Sequence, residues 1–213
     1  MARMLGPKCR QCRREGKKLY LKGTRCDTPK CPMDEKHRPN KAKVPGQHGD
    51  KRQRLTDYAV HMREKQRAKR IYGLLDRQFR RFFEHALAMP GNTGENLVVL
   101  LERRLDNVVY RLGFARSHSE ARQVVRHGHI TVNGDRTNLP SYLVKVGDVL
   151  RPTQRPAAKK LLNDNLKIIN KEHIPSWLRL QEEPLEGTIV QIPNRQDITV
   201  DINEQLIVEF CSK

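Results

Sequence analysis

Apolar residues return at helical spacing through the middle of the chain. Leu75, Phe79, Phe82, Phe83 and Ala86 fall at i, i+4, i+7, i+8 and i+11, which predicts a core-facing helix over 75–88 ended by Met89-Pro90-Gly91. Their single face marks the phenylalanines as core rather than base-stacking platforms. Thr93 caps a third helix carrying Leu97, Leu100 and Leu101. Leu105, Val108, Val109 and Leu112 repeat the stripe before Gly113 stops it. Ser117-His118-Ser119-Glu120 is a capping box opening a short helix with core positions Ala121, Val124 and Val125, closed by Gly128. From Thr56, a further helix runs to Tyr72 and ends at Gly73, but its apolar stripe (Leu55, Ala59, Met62) is thin.

The period then changes from helical to alternating. His129-Ile130-Thr131-Val132 leads into Asn133-Gly134, a strong type I′ hairpin signal. Val144-Lys145-Val146 and Val149-Leu150 predict another strand pair around Gly147-Asp148. Beyond them a helix is expected over 159–171, strands over 177–180, 188–192 and 198–202, and a last helical turn capped by Asn203. Residues 34–54 read as loop, punctuated by Pro39, Pro45, Gly46 and Gly49. The longest apolar run, Leu97 to Leu101, is five residues, so no membrane span is expected. The N-terminus lacks an apolar stretch of signal-peptide length, which points to the cytoplasm.

Charge changes this picture most. Residues 1–81 hold 25 Lys and Arg against 8 Asp and Glu, so nearly all of the chain's net +18 lies there. Residues 103–160 add +8, and 161–213 carry 5 basic and 9 acidic residues. A basic segment of this density repels itself unless a polyanion neutralises it, and nucleic acid has the matching charge density. Arg63, Lys65, Arg67, Lys69 and Arg70 clothe most of the Thr56–Tyr72 helix. They predict phosphate contact rather than a solvated face of Glu–Lys pairs. His118, Arg122 and Arg126, at i, i+4 and i+8, are expected to align as one basic ridge beside Arg116.

Four of the five cysteines, Cys9, Cys12, Cys26 and Cys31, form a C-x2-C-x13-C-x4-C pattern. In a reducing compartment, two close thiol pairs suit a closed tetrahedral site for one structural zinc ion. An iron–sulfur cluster or free, redox-active thiols are the alternatives. The loop between the pairs has few apolar residues, so a bound metal would serve as its core. Cys211 stands alone and reads as a small packed hydrophobe. His118-Ser119-Glu120 matches the H-x-E of zinc deaminases, but the histidine follows the cysteines, and four thiolates leave no position for water.

The segment Arg104-Leu105-Asp106-Asn107-Val108-Val109-Tyr110-Arg111-Leu112-Gly113-Phe114-Ala115 carries a specific resemblance, together with Ala121-Arg122-Gln123, Val125-Arg126-His127-Gly128-His129-Ile130 and Val132-Asn133-Gly134. It resembles the RNA-binding module named after small-subunit ribosomal protein four, which several RNA-modifying enzymes borrow. Pro45-Gly46-Gln47-His48-Gly49 with Lys51, Arg54, Asp57-Tyr58-Ala59 and Arg63-Glu64-Lys65-Gln66 resembles the helical domain of the ribosomal family itself. Val200 and Asn203 to Phe210 resemble its closing segment, and the four cysteines are similar to those of its zinc-binding branch. Met4 stands where an aromatic is common, and His118 where the module often has Arg, which weakens one phosphate contact or makes it pH-dependent. Residues 34–43 are longer than usual.

The resemblance implies an α+β chain in three parts: a zinc-bound N-terminal extension (1–44), a basic helical domain (45–102, completed by 200–213), and an inserted module of helix–turn–helix and antiparallel hairpins (103–199). It implies a primary binder of small-subunit rRNA at a multi-helix junction in the 5′ domain, nucleating assembly of the small ribosomal subunit. Small-subunit proteins three and five would be neighbours, near the channel through which mRNA enters, with repression of its own mRNA as a second role. The expected RNA contacts are Gln47, His48, Lys51, Arg52, Arg54, Arg63, Lys65, Arg67, Lys69, Arg70, Arg116, His118, Arg122 and Arg126. No nucleophile–base set or glycine-rich phosphate loop lies outside the module, so an RNA-modifying enzyme is not expected.

Overall fold

The computed structural model describes residues 4–34, 36–37, 42–49, 54–168 and 174–212. It is a mixed α+β chain in two compact units, Met1–Gly94 with Asp201–Lys213, and Glu95–Val200. The helices in chain order are α1 (Lys8–Glu15), α2 (Asp57–Ile71), α3 (Asp76–Ala88), α4 (Thr93–Glu102), α5 (Leu105–Arg111), α6 (His118–Arg126), α7 (Pro156–Leu166) and α8 (Glu204–Cys211). The strands are β1 (Ile130–Val132), β2 (Asp135–Arg136), β3 (Val149–Pro152), β4 (Leu178–Gln181) and β5 (Glu186–Ile189).

In the first unit, α2 begins where its cap predicts: the Thr56 hydroxyl accepts from Ala59 N at 3.3 Å. Phe79, Phe83 and Ala86 of α3 are buried. The chain's last helix, α8, packs on α2, with the rings of Tyr58 and Phe210 5.3 Å apart. Asn203 caps α8 through Leu206 N. Near the N-terminus, Cys9 and Cys12 ride on α1, and a 3-10 turn over Gly23–Asp27 carries Cys26. Leu19 and Leu21 join Cys12 in a small buried cluster against Met33 and Ile71. This segment, expected to depend on metal alone for a core, therefore has regular structure and a modest apolar centre.

In the second unit, a five-stranded antiparallel sheet runs in the order β2-β1-β3-β5-β4. Leu105, Val108, Val109 and Leu112 of α5 join Ala121, Val124 and Val125 of α6 in its core, with Phe114, Ile130, Leu150 and Trp177. Asn133 and Gly134 both take positive φ, +53° and +94°, the conformation a type I′ turn demands.

Two predicted strands are absent. Residues 144–146 are irregular and lead into a turn at Val146-Gly147, because the Asp148 carboxylate accepts from Lys145 N and Asn133 Nδ2, both at 2.8 Å. That capture leaves β3 to pair with β1 and β5 instead. Residues 198–202 are irregular and follow a 3-10 turn over Arg195–Asp197, in which Asp197 accepts from Asn194 N at 3.0 Å. The strand expected at 188–192 is β5, Glu186–Ile189, and α7 begins at Pro156, whose fixed φ favours the first helical turn. The predicted end of that helix, from 169 on, lies outside the described residues. Among the described residues no helix is long and apolar enough to cross a membrane.

Candidate nucleic-acid interface and cysteine cluster

The cations of α2 have partners inside their own unit. Glu15, whose side chain is 1% exposed, is ion paired with both Arg63 and Arg70. Arg67 Nη1 donates to Glu64 Oε1 at 2.7 Å, and Lys65 and Lys69 Nζ lie 3.0 and 3.3 Å from Asp76 Oδ1. Lys65 also stands over the Phe210 ring. All five side chains are at least partly buried, Lys69 the most. The thin apolar stripe follows from this arrangement: Leu55 is exposed, while the cations occupy inward positions matched by carboxylates. Hydrogen bonding from Lys65, then from Lys69, lowers the Asp76 pKa, whereas burial raises that of Glu64 against the pull of Arg67.

Gln47, His48 and Arg54 are exposed, as phosphate contacts must be. Lys51 and Arg52 lie outside the described residues.

The expected ridge on α6 does not form as one exposed face. Arg122 is buried and its Nη1 lies 3.3 Å from Asp106 Oδ2, beside Arg104, which grips both carboxylate oxygens at 3.0 and 2.7 Å. A bidentate carboxylate draws guanidinium heads inward because buried charge must be paired. His118 is held by Asn107 and lies 4.0 Å from the Tyr110 ring, centroid to centroid. Asn107 Nδ2 donates to Glu102 O and Oε2, so Asn107 Oδ1 accepts, and His118 Nε2 carries the proton. Arg111 completes this buried set, bidentate to Glu102. Only Arg126 of the three presents itself to solvent, with Arg116, which pairs at i,i+4 with Glu120.

Helical spacing missed other exposed cations of the unit. Arg136 on β2 and Arg155 ahead of α7 reach the same corner as His127 and His129. Only strand pairing brings them together, so no window of sequence contains the signal.

Cys9, Cys12, Cys26 and Cys31 line one small cavity, rimmed by Lys8, Lys18 and Lys22. Lys22 N donates to Cys26 Sγ at 3.4 Å, and Leu19 N to the Cys12 sulfur. Burial pushes both thiols up. Among the described residues no group of three or more His, Cys, Asp or Glu side chains stands in a metal-coordinating arrangement. The donor set still suits zinc chemically: four cysteines line one space, backbone N–H groups bond to two of the sulfurs, and a dication would offset their burial as thiolates. Cys211 is half-buried on α8.

Comparison with known proteins covers the whole chain. The family described as "Ribosomal protein S4/S9 N-terminal domain" matches residues 3–102, and that described as "S4 domain" matches 103–150. Proteins named "Small ribosomal subunit protein uS4" are similar over the full length of both chains. That of Citrifermentans bemidjiense is 52% identical, that of Thermoanaerobacter pseudethanolicus 51%, and that of Thermodesulfovibrio yellowstonii 48%, each over 213 residues and 100% of both proteins.

Proposed function

The chain belongs to the ribosomal protein S4 family, and from that premise we propose that it is a structural rRNA-binding protein of the small ribosomal subunit, not an enzyme. The observation that carries this is the match to uS4 proteins over 213 residues and the full length of both chains. The net charge of +18 supports it physically, since each phosphate neutralised by a cation releases a counterion.

The interface we assign comprises the exposed Gln47, His48 and Arg54, together with Lys51 and Arg52 of the same stretch of sequence, and Arg116 and Arg126 on the second unit. Arg63, Lys65, Arg67, Lys69, Arg70 and Arg122 add to the positive field while their heads hold internal partners, and His118 is held by Asn107. Few exposed aromatics are available for stacking splayed bases, which favours recognition of folded RNA shape. A multi-helix junction of the 5′ domain, contact with small-subunit proteins three and five, and a position near incoming mRNA extend this reading. Repression of its own mRNA would use the same surface.

The four cysteines we assign to one structural zinc ion. Cys9, Cys12, Cys26 and Cys31 would hold it, and it would lock α1 to the Gly23–Asp27 turn without contributing chemistry to substrate.

Sedimentation tests the central assignment. The native protein should co-migrate with small subunits and stay bound at moderate salt. A protein that runs free of them would overturn it.

A further inference from the structure

Where α6 ends, the chain turns through Gly128 and enters β1 by way of His129. The imidazole rings of His127 and His129 stand 5.9 Å apart, centroid to centroid. Arg136 of β2 lies across the open face of Gly128, its Nη2 donating to His127 O at 3.2 Å. A Cβ on Gly128 would collide with that guanidinium, and its φ of +64° independently favours glycine. From the other side Thr153 N donates to His129 O at 2.9 Å, which brings Arg155 to the same corner. Arg155 is the N-cap residue of α7, a helix with no acidic residue in its first turn and no side-chain cap.

Among the described residues the charged groups acting on His129 are His127 at the end of α6, Arg155 ahead of α7 and Arg136 on β2, all basic. Burial first, and then these basic neighbours, hold its pKa below the ordinary value. His129 Nδ1 and Thr153 Oγ1 are buried without a hydrogen-bond partner among the described residues. Like charges gathered there cost stability, and among the described residues no carboxylate stands among the groups acting on His129. An external anion would offset that charge. His127, Arg136 and Arg155 are exposed and open to one.

We propose that His127, His129, Arg136 and Arg155 form a subsite for a backbone phosphate of the bound RNA, built by strand pairing rather than by a helix face. Arg136, pinned across Gly128, and Arg155, at the positive end of α7, supply the charge. His129, half-buried between them, is held in place by the bond from Thr153 N to its carbonyl. The subsite rests on the rRNA-binding reading above and names where the second unit grips.

The test uses the full chain and a small-subunit rRNA fragment, with affinity measured across a salt series. R136Q/R155Q should lose about tenfold in affinity, and the slope of log K against log salt should shrink by about one. The control R179Q removes an exposed charge from β4, at the far edge of the sheet, and should change neither. Unfolding midpoints matching the wild type show that both variants fold. A double variant that behaves as R179Q does, while the wild type binds rRNA tightly, overturns the subsite alone. A wild type that prefers small-subunit rRNA no more than tRNA overturns the underlying reading instead. A His129 imidazole resonance that moves with inorganic phosphate but not with rRNA would assign the corner to a free anion, and would also overturn the proposal.

Discussion

Glu15, the last residue of α1, is ion paired with Arg70 of α2, 55 residues further along the chain. The same Oε1 accepts from Arg63 at 3.4 Å. One buried carboxylate thus fastens the cysteine-bearing segment to the basic helix. The positive charge that suggests RNA contact is, in part, the means by which this unit holds itself together.

Removing that carboxylate should leave two partly buried guanidinium groups without it. We expect Glu15→Gln to lower stability by about 3 kcal/mol, the cost typical of breaking a buried ion pair from one side. Urea unfolding at neutral pH measures this. A change below about 0.5 kcal/mol would mean that water replaces the carboxylate without penalty.

Asp76 and Glu64 should respond to pH in opposite senses. The Asp76 pKa is lowered by its bond from Lys65, with Lys69 adding to it, so its contribution is complete above the ordinary carboxylate range and is lost as pH falls through the folded value. Its side chain is 48% exposed, which limits the effect to about 1 kcal/mol or less. Asp76→Asn should therefore make stability fall less steeply below about pH 5. Glu64 is raised by burial, so its contribution is present at low pH and lost as pH rises through the folded value. Glu64→Gln should accordingly cost less at pH 7 than Glu15→Gln. Paired denaturation curves at pH 7 and pH 4 separate the two; parallel losses in D76N and wild type would refute the assignment.

Metal removal should act locally. Chelation, or Cys26→Ser, is expected to release one zinc ion and to abolish hydrogen-exchange protection in α1 and the Gly23–Asp27 turn, leaving α5, α6 and the sheet protected. Elemental analysis combined with exchange mass spectrometry reads both effects. A purified chain containing no metal, or protection unchanged by chelation, would remove zinc from the account.

Two glycines should differ for a steric reason. A Cβ on Gly187 of β5 would run into the Leu112 side chain in the core, so Gly187→Ala should cost about 1–3 kcal/mol through overpacking. Gly134 has open space around it but a φ of +94°, so Gly134→Ala should cost about 1 kcal/mol from backbone strain. Thermal melts of the two variants give the order directly; a reversal would place the strain in the turn rather than in the core.

The elements that were legible in the sequence are those whose instructions are local. Thr56, Ser117 and Asn203 announced three helix starts, because a cap bonds to an N–H three residues on. Asn133-Gly134 announced the hairpin, and the stripes through Phe79 and Val108 announced core faces that are buried. The strands expected at 144–146 and 198–202 failed where a carboxylate, Asp148 or Asp197, captured nearby backbone N–H groups and bent the chain.

The sequence by itself determined the class of partner and the family, because charge density and motif spacing survive without coordinates. Only the tertiary structure decided which cations face outward. Arg122 and Arg126 share one helix and one charge, yet Asp106, sixteen residues before Arg122, draws that guanidinium inside. Arg136 and Arg155 are nineteen residues apart in sequence, and the sheet sets both beside His129. An ion pair is chosen by distance in space, and periodicity along a chain reports only distance along one element.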